Sequence, residues 1–401
     1  MSQVDSLLFL CHRIPYPPNK GDKIRSFHIL KFLAERHRVL LGTFIDDPAD
    51  RAHLATLREL CAELHVVDIA PRRQRLASLR GLLTGEALSL PYYRDAGLAA
   101  WVAEMRRHAR PRVAFAYSSP MAQYLLGDDW QGTRRIVDLV DVDSEKWRAY
   151  AAMKPWPASM IYGREAMRLL AFERAVADAV DACVFVSGDE ARLFEQLRGG
   201  ASHNVHAVNN GVDLAYFAAG LGLPNPYPAG VPVLVFTGAM DYWANVDAVQ
   251  WFVREILPDI LRAVPAVQCW IVGTRPTPAV RELAQAPRVH VTGAVDDIRP
   301  YIAHATISIA PMRVARGVQN KVLEAMAMGR PVVGTQAAFE GLDLETRYRA
   351  LAADDAASFA ARCVALLGAR DTSLGEMGRR YVAAHHDWNT NMQQLHALMA
   401  G

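Results

Sequence analysis

The chain has no apolar run long enough to cross a bilayer. Its first hydrophobic stretch, Leu7 to Cys11, is only strand length and soon meets Arg13 and Pro15, which fits neither a signal peptide nor a membrane span. Cysteine is scarce: Cys11, Cys61, Cys183, Cys269 and Cys363 lie far apart with no C-x-x-C spacing. A disulfide framework and a zinc site are therefore not indicated, and a reducing compartment is. Charge of one sign is missing too. Lys and Arg total 44 against 42 acids, a formal net charge of +2, which is not the balance of a nucleic-acid binder. No low-complexity block and no repeat of about 20 to 50 residues is visible, which excludes solenoids. These absences place the chain in the cytoplasm, where it can still rest on a membrane surface.

What is present is a 401-residue chain, 51% hydrophobic, long enough for two domains. Short strand-like runs alternate with helical patterns throughout, which predicts an α/β fold of two Rossmann-like, doubly wound parallel sheets. Strands are expected at 6–11, 38–44, 63–67, 113–117, 135–139 and 182–186, then at 233–237, 268–272, 288–291, 306–310 and 331–334. Helices are expected at 27–35 and 164–179, and Ser187 with Glu190 forms a capping box for another. The turn residues Asn209, Asn210 and Gly211 and the Pro- and Gly-rich stretch 220–232 follow. They give a first domain over 1–200 and a second over 201–380. Residues 381–401 read as one terminal helix with Trp388, Met392, Leu395 and Met399 along a stripe.

Open parallel sheets bind ligands beyond the carboxyl ends of their strands, so the strand-to-helix junctions carry the information. Three stand out in the second half: the turns at Gly238 and Gly273, and the stretch I-A-P-M-R-V-A-R-G-V-Q-N-K-V-L-E-A-M-A-M-G-R-P-V-V over 309–333. The last reads as strand, loop, helix, strand, with Gly329 ending the helix and Pro331 blocking its continuation. A helix starting near Val318 to Asn320 aims its free N–H groups and positive dipole end at an anion. Gly317 allows close backbone approach, while Arg313, Arg316 and Lys321 add charge. Glu324, one turn on, can accept both hydroxyls of a ribose. Phosphate and ribose together mean nucleotide.

These residues resemble glycosyltransferase family 4, whose hallmark is a Glu, seven residues, then a second Glu in E-A-M-A-x-G-x-P-V-V; this chain has E-A-M-A-M-G-R-P-V-V. Asn209 to Asp213 with Phe217 resembles the family's N-G-V-D…F signature, Phe236-Thr237-Gly238 its first phosphate loop, and Val291 to Val295 its base-binding turn, which brings in Val295. The resemblance implies a GT-B fold, two Rossmann-like domains facing a cleft with the C-terminal helix crossing back to the first. It implies a nucleotide-sugar donor as co-substrate, no cofactor or metal, and transfer with retention. More narrowly, C-H-R-I-P-Y-P-P-N-K-G-D-K-I-R-S at 11–26 and F-T-G-A-M-D-Y-W at 236–243 are similar to the sugar transferases of the PEP-CTERM/exosortase exopolysaccharide system. Two positions depart from the family: Arg316 stands where the first hallmark Glu belongs, and Ala244 where a phosphate-binding Lys is common. Lys321 or Arg313 can replace that Lys, and Arg316 can meet a carboxylate on a uronic-type donor sugar.

In the first domain, the loop His12 to Ser26 combines prolines and cations before a helix. Gly21 permits close approach, and Lys23 and Arg25 are candidates for a diphosphate or an acceptor phosphate. His12, Ser118, Asp141 and Asp143 follow strands and are expected to line the cleft on the acceptor side. The aspartates at 138, 141 and 143 do not read as a metal site, because alternation points side chains to opposite sides. The stretch 72–83, R-R-Q-R-L-A-S-L-R-G-L-L, carries four arginines with leucines at helical spacing and can lie on the cytoplasmic face of an anionic membrane, as suits a lipid-linked glycan acceptor. Two other readings share the fold: a nucleotide-sugar epimerase, and an inactive GT-B binding scaffold. A Rossmann dehydrogenase is excluded, since no G-x-G-x-x-G follows the first strand.

Overall fold

The computed structural model describes residues 5–18, 21–315, 317–369 and 372–400. It divides into two compact units, one of residues 1–209 with 389–401, the other of residues 210–388.

The first unit holds a seven-stranded parallel sheet in the order β3-β2-β1-β4-β5-β6-β7. Its strands are β1 (Ser6–Cys11), β2 (Arg38–Ile45), β3 (Glu63–Asp68), β4 (Val113–Tyr117), β5 (Arg134–Val140), β6 (Ala182–Phe185) and β7 (Val205–Ala207). Leu7 to Cys11 and all of β4 are buried, as expected of central parallel strands covered by helices on both faces. The strand order reverses between β1 and β4, so the loops after these two strands flank the crevice of this sheet. Helix α1 (Gly21–Ala34) follows β1, and a hairpin of α2 (Asp143–Met153) and α3 (Ala158–Ala179) follows β5. From Asn389 on, the C-terminal helix Trp388–Ala400 belongs to this unit, with Arg134 Nε donating to Leu398 O.

The second unit holds a five-stranded parallel sheet, order β10-β9-β8-β11-β12: β8 (Val233–Thr237), β9 (Gln268–Val272), β10 (Val289–Gly293), β11 (Ile307–Ala310) and β12 (Val332–Gly334). Its order reverses between β8 and β11, so the turn at Gly238 and the segment after Ala310 flank that crevice. Helix α4 (Trp243–Trp251) follows β8, and helix α5 (Asn320–Ala327) follows β11.

Three expectations fail. Helix α1 starts at Gly21, six residues before Phe27, because Lys23 and Arg25 find carboxylates inside the unit and no longer need solvent. The edge strand β7 is three half-exposed residues, too short to show in the pattern. The single helix expected over 381–399 is two, Ser373–His385 and Trp388–Ala400. Between them the backbone turns to pair with another strand-like segment: Val212 N donates to His386 O at 2.7 Å, and Asp387 bridges Val212.

Candidate functional site

In the second unit, Gly238, Gly273 and Lys321 come together at the sheet's carboxyl edge. Gly238 N donates to Val272 O at 3.1 Å, and Gly273 N to Gly293 O at 3.3 Å, tying the ends of β8, β9 and β10. The loops touch closely: a Cβ on Gly273 would lie 1.7 Å from Gly238 O, so only glycine fits there. A Cβ on Gly238 would lie 3.4 Å from Lys321 Nζ, which places the ammonium directly against this loop.

Lys321 sits in the first turn of α5. Its Nζ donates to Asn245 Oδ1 at 2.6 Å, approaches Met312 Sδ at 3.7 Å, and lies 4.1 Å from the centre of the Phe236 ring. Among the described residues no carboxylate is within ion-pairing distance of it. Burial pushes the ammonium down to about 7, with Glu324 opposing that shift. Burial likewise pushes the Glu324 carboxyl, one turn along the same helix, up to about 7, with Lys321 opposing it. A cation held by a neutral amide and desolvated at a helix start is poised to accept an anion, since a phosphate would relieve the cost of burying the charge.

Gly317, with φ 64°, accepts from Gln319 Nε2 at 3.0 Å, and Val318 is buried under the helix start. Val295 packs beside Tyr227, Val233, Val235 and Val272. Arg313 does not join Lys321. It pairs with Asp247 and lies over Trp251, half-exposed, whereas Lys321 binds Asn245. Asn245 and Asp247 are two residues apart on α4, about 200° around the helix, so the two cations engage different faces. Arg316 lies outside the described residues. Ala244 is buried in the core.

Two residues at this edge were not anticipated. Asn245, which holds Lys321 and donates to Ala239 O at 2.9 Å, is a buried amide on the same helical stripe as Ala248 and Val249. A polar residue on an apolar stripe was its signal. Tyr216, beneath the Arg299 guanidinium at 3.8 Å, is within electrostatic reach of Glu324. Only its place beside Phe217 marked it.

The first unit corrects two expectations. Lys23 and Arg25 are not phosphate-facing loop residues. Lys23 Nζ contacts Asp50 at 2.7 Å, Arg25 Nε contacts Asp138 at 2.7 Å, and both cations are 2% exposed or less. Arg25 Nη1 also donates to Val208 O at 2.9 Å. Gly21 is exposed, with open space where a Cβ would be. His12 stacks on Tyr117, its Nε2 3.6 Å from Asp22. Although burial opposes it, the His12 ring and Arg13 hold the Asp22 carboxyl well below the usual carboxylate range. Ser118 adopts φ 80°, its N donating to Asp138 O at 2.8 Å. Asp143 accepts from Ser119 Oγ at 2.9 Å. Burial, with Glu190 and Asp143 nearby, pushes the Asp141 carboxyl up to about 7. Among the described residues no group of three or more His, Cys, Asp or Glu is arranged to hold a metal ion.

Residues 231–369, which contain the Gly238, Lys321 and Glu324 cluster, match the family model for glycosyl transferases group 1. This match makes the chain a glycosyltransferase. Solved structures similar over the whole length agree in fold. HepE of Anabaena in complex with UDP and glucose is 16% identical, covering 99% of both chains with a TM-score of 0.66. WaaG, a glycosyltransferase involved in lipopolysaccharide biosynthesis, is 15% identical, covering 98% of this chain and 100% of its own, with a TM-score of 0.67. Sucrose-phosphate synthase from Thermosynechococcus elongatus is 16% identical over 98% of each chain, with a TM-score of 0.66. At these identities the likeness establishes the GT-B fold. No curated protein sequence matches the chain. No helix among the described residues is long and apolar enough to cross a membrane.

Proposed function

We propose that this glycosyltransferase moves a sugar from a UDP-sugar to a lipid-linked polysaccharide precursor in exopolysaccharide assembly of the PEP-CTERM type. The reaction retains configuration, needs no metal ion, and takes place on the cytoplasmic face of the membrane. The observation that carries this reading is the Lys321 ammonium, set against the Gly238 turn at a helix start with no carboxylate in contact. As the bond to the sugar breaks, charge grows on the departing diphosphate, and a preorganised cation with helix N–H groups stabilises it. Glu324 holds the ribose. Lys321 takes the part of the Lys missing at Ala244, reaching the same helix through Asn245. UDP is the nucleotide favoured because HepE, similar over its whole length, was solved with UDP and with UDP-glucose.

Arg316 replaces an acid that contacts the donor sugar in the resembling family, and we assign it to a carboxylate on a uronic-type sugar. On the acceptor side, Asp141 and Asp143 are the groups proposed to contact the glycan, with His12 and Ser118 at the neighbouring strand ends.

The test is turnover of UDP-glucuronate, UDP-glucose and GDP-mannose with a lipid-linked glycan extract in EDTA. Sugar transfer with release of UDP, strongest for UDP-glucuronate, supports the reading. Isomerised donor without acceptor would make the chain an epimerase, and nucleotide binding without turnover a scaffold. Preference for neutral sugars would remove the role given to Arg316.

A further inference from the structure

Nine of the fourteen large hydrophobic side chains exposed among the described residues fall in two stretches of the first unit, 76–83 and 153–167. Leu83 is 91% exposed and Trp156 78%. The first stretch lies on two short helices, Pro71–Ser78 and Arg80–Thr84, the second on the tip of the α2–α3 hairpin. They are one surface. Arg164 Nη2 donates to Gly81 O at 2.6 Å and Nη1 to Glu86 O at 3.1 Å. Glu165 accepts from Leu88 N at 2.6 Å and from Ser89 N at 3.0 Å.

The charge on this surface has one sign. Residues 71–84 and 150–168 contain seven cations and one carboxylate, against +2 for the whole chain. That carboxylate, Glu165, is buried and occupied by the backbone of 88 and 89. Arg72, Arg73, Arg75 and Arg80 are exposed and have no ion-pair partner among the described residues. Across the two short helices and Leu79, which joins them, Leu76, Leu79 and Leu83 are spaced three and four apart, forming a stripe with arginines beside it.

We infer that this surface docks the first unit on an anionic phospholipid bilayer, with the leucines and Trp156 entering the headgroup boundary and the arginines meeting lipid phosphates. Leucine and tryptophan with unpaired arginine are what an interfacial segment requires. Long cationic side chains keep their charge in the headgroups while their stems cover apolar surface. Neither stretch carries an exposed acid, and Glu86 at their edge is paired with Arg94, which selects an anionic occupant over a neutral one. The hairpin also begins at Asp143, at the carboxyl end of β5, and α2 runs about 16 Å from there to the patch. A lipid-linked acceptor held at the bilayer would therefore stand close to that sheet edge. The docking itself is independent of the donor site in the other unit.

The experiment is flotation of the full chain with vesicles of phosphatidylethanolamine and phosphatidylglycerol, beside pure phosphatidylcholine. Wild type is compared with Arg72→Glu/Arg75→Glu and Leu79→Glu/Leu83→Glu, each checked by circular dichroism and by UDP affinity. Binding to the anionic vesicles only, weakened by salt and lowered more than tenfold in both variants, is the expected result. Each basic residue near such a surface is worth about fivefold. Failure to bind anionic vesicles, or equal binding by the variants, would overturn the inference. So would a loss of self-association in Leu79→Glu/Leu83→Glu with lipid binding unchanged, which would assign the surface to a second copy of the chain.

Discussion

Both units place cations near a strand-to-helix junction at the edge of a parallel sheet, and the two sets have opposite fates. In the first unit Lys23 and Arg25 meet Asp50 and Asp138 inside the fold, so their charge is already neutralised. In the second, Lys321 is packed, half-buried, against an amide, an aromatic ring and a glycine turn, with its charge uncompensated at contact. A buried cation with its carboxylate is structural, whereas one without is a site waiting for an anion. The distinction rests on the partner, not on the residue type or on its distance from a glycine.

Stability should separate the two sets most strongly. Arg25→Ala leaves the Asp138 carboxylate buried without its counter-ion and is expected to cost about 3–5 kcal/mol, read by chemical denaturation. Lys321→Met removes a desolvated charge and should leave the midpoint unchanged or raised. Equal destabilisation by both would break the comparison. Gly273→Ala comes next. Its methyl group would collide with Gly238 O, so UDP affinity should fall by more than about tenfold with the first unit's folding unaffected, as reported by titration and by circular dichroism.

A smaller effect is set by pH. Lys321 in the free protein loses its proton near 7, so UDP affinity should weaken severalfold, about three- to tenfold, as pH rises from roughly 6 to 8.5. Glu324 titrates in the same range but acts oppositely, gaining acceptor strength as pH rises. Titration calorimetry across pH should therefore show a steeper fall in Glu324→Gln and, in Lys321→Met, a dependence of the opposite sign, with affinity rising with pH as Glu324 ionises. The smallest effect sharpens the first unit's side. The Asp141 carboxyl is raised to about 7 in the fold, so ionising it destabilises the folded state as pH climbs from the ordinary carboxylate range towards 7. Asp141→Asn should raise Tm by a few degrees at pH about 8 and leave it unchanged near pH 4.

The strands were legible because buried parallel strands are continuous apolar runs: β1, β4, β8 and β9 lie where the pattern puts them. The bounds of α5 were legible for a local reason too, since Gly317 and Gly329 flank it within one short segment. Long-range pairing was not legible. Asp138 is 113 residues from Arg25, and Asn245 is 76 from Lys321, so nothing near either cation announces its partner. The same holds for Arg313, whose tie to Asp247 takes it from the Lys321 cluster. The break at 386–387 is set by Val212, far away in the chain, while the local pattern favours one continuous helix.

The central claim is that Lys321 and Glu324 form a nucleotide site at the start of α5. Calorimetric titration with UDP in EDTA, comparing wild type with Lys321→Met and Glu324→Ala, tests it most directly. The account predicts binding by the wild type that weakens by about tenfold or more in each variant, consistent with losing one charge-assisted hydrogen bond. Equal affinity in all three proteins would contradict it.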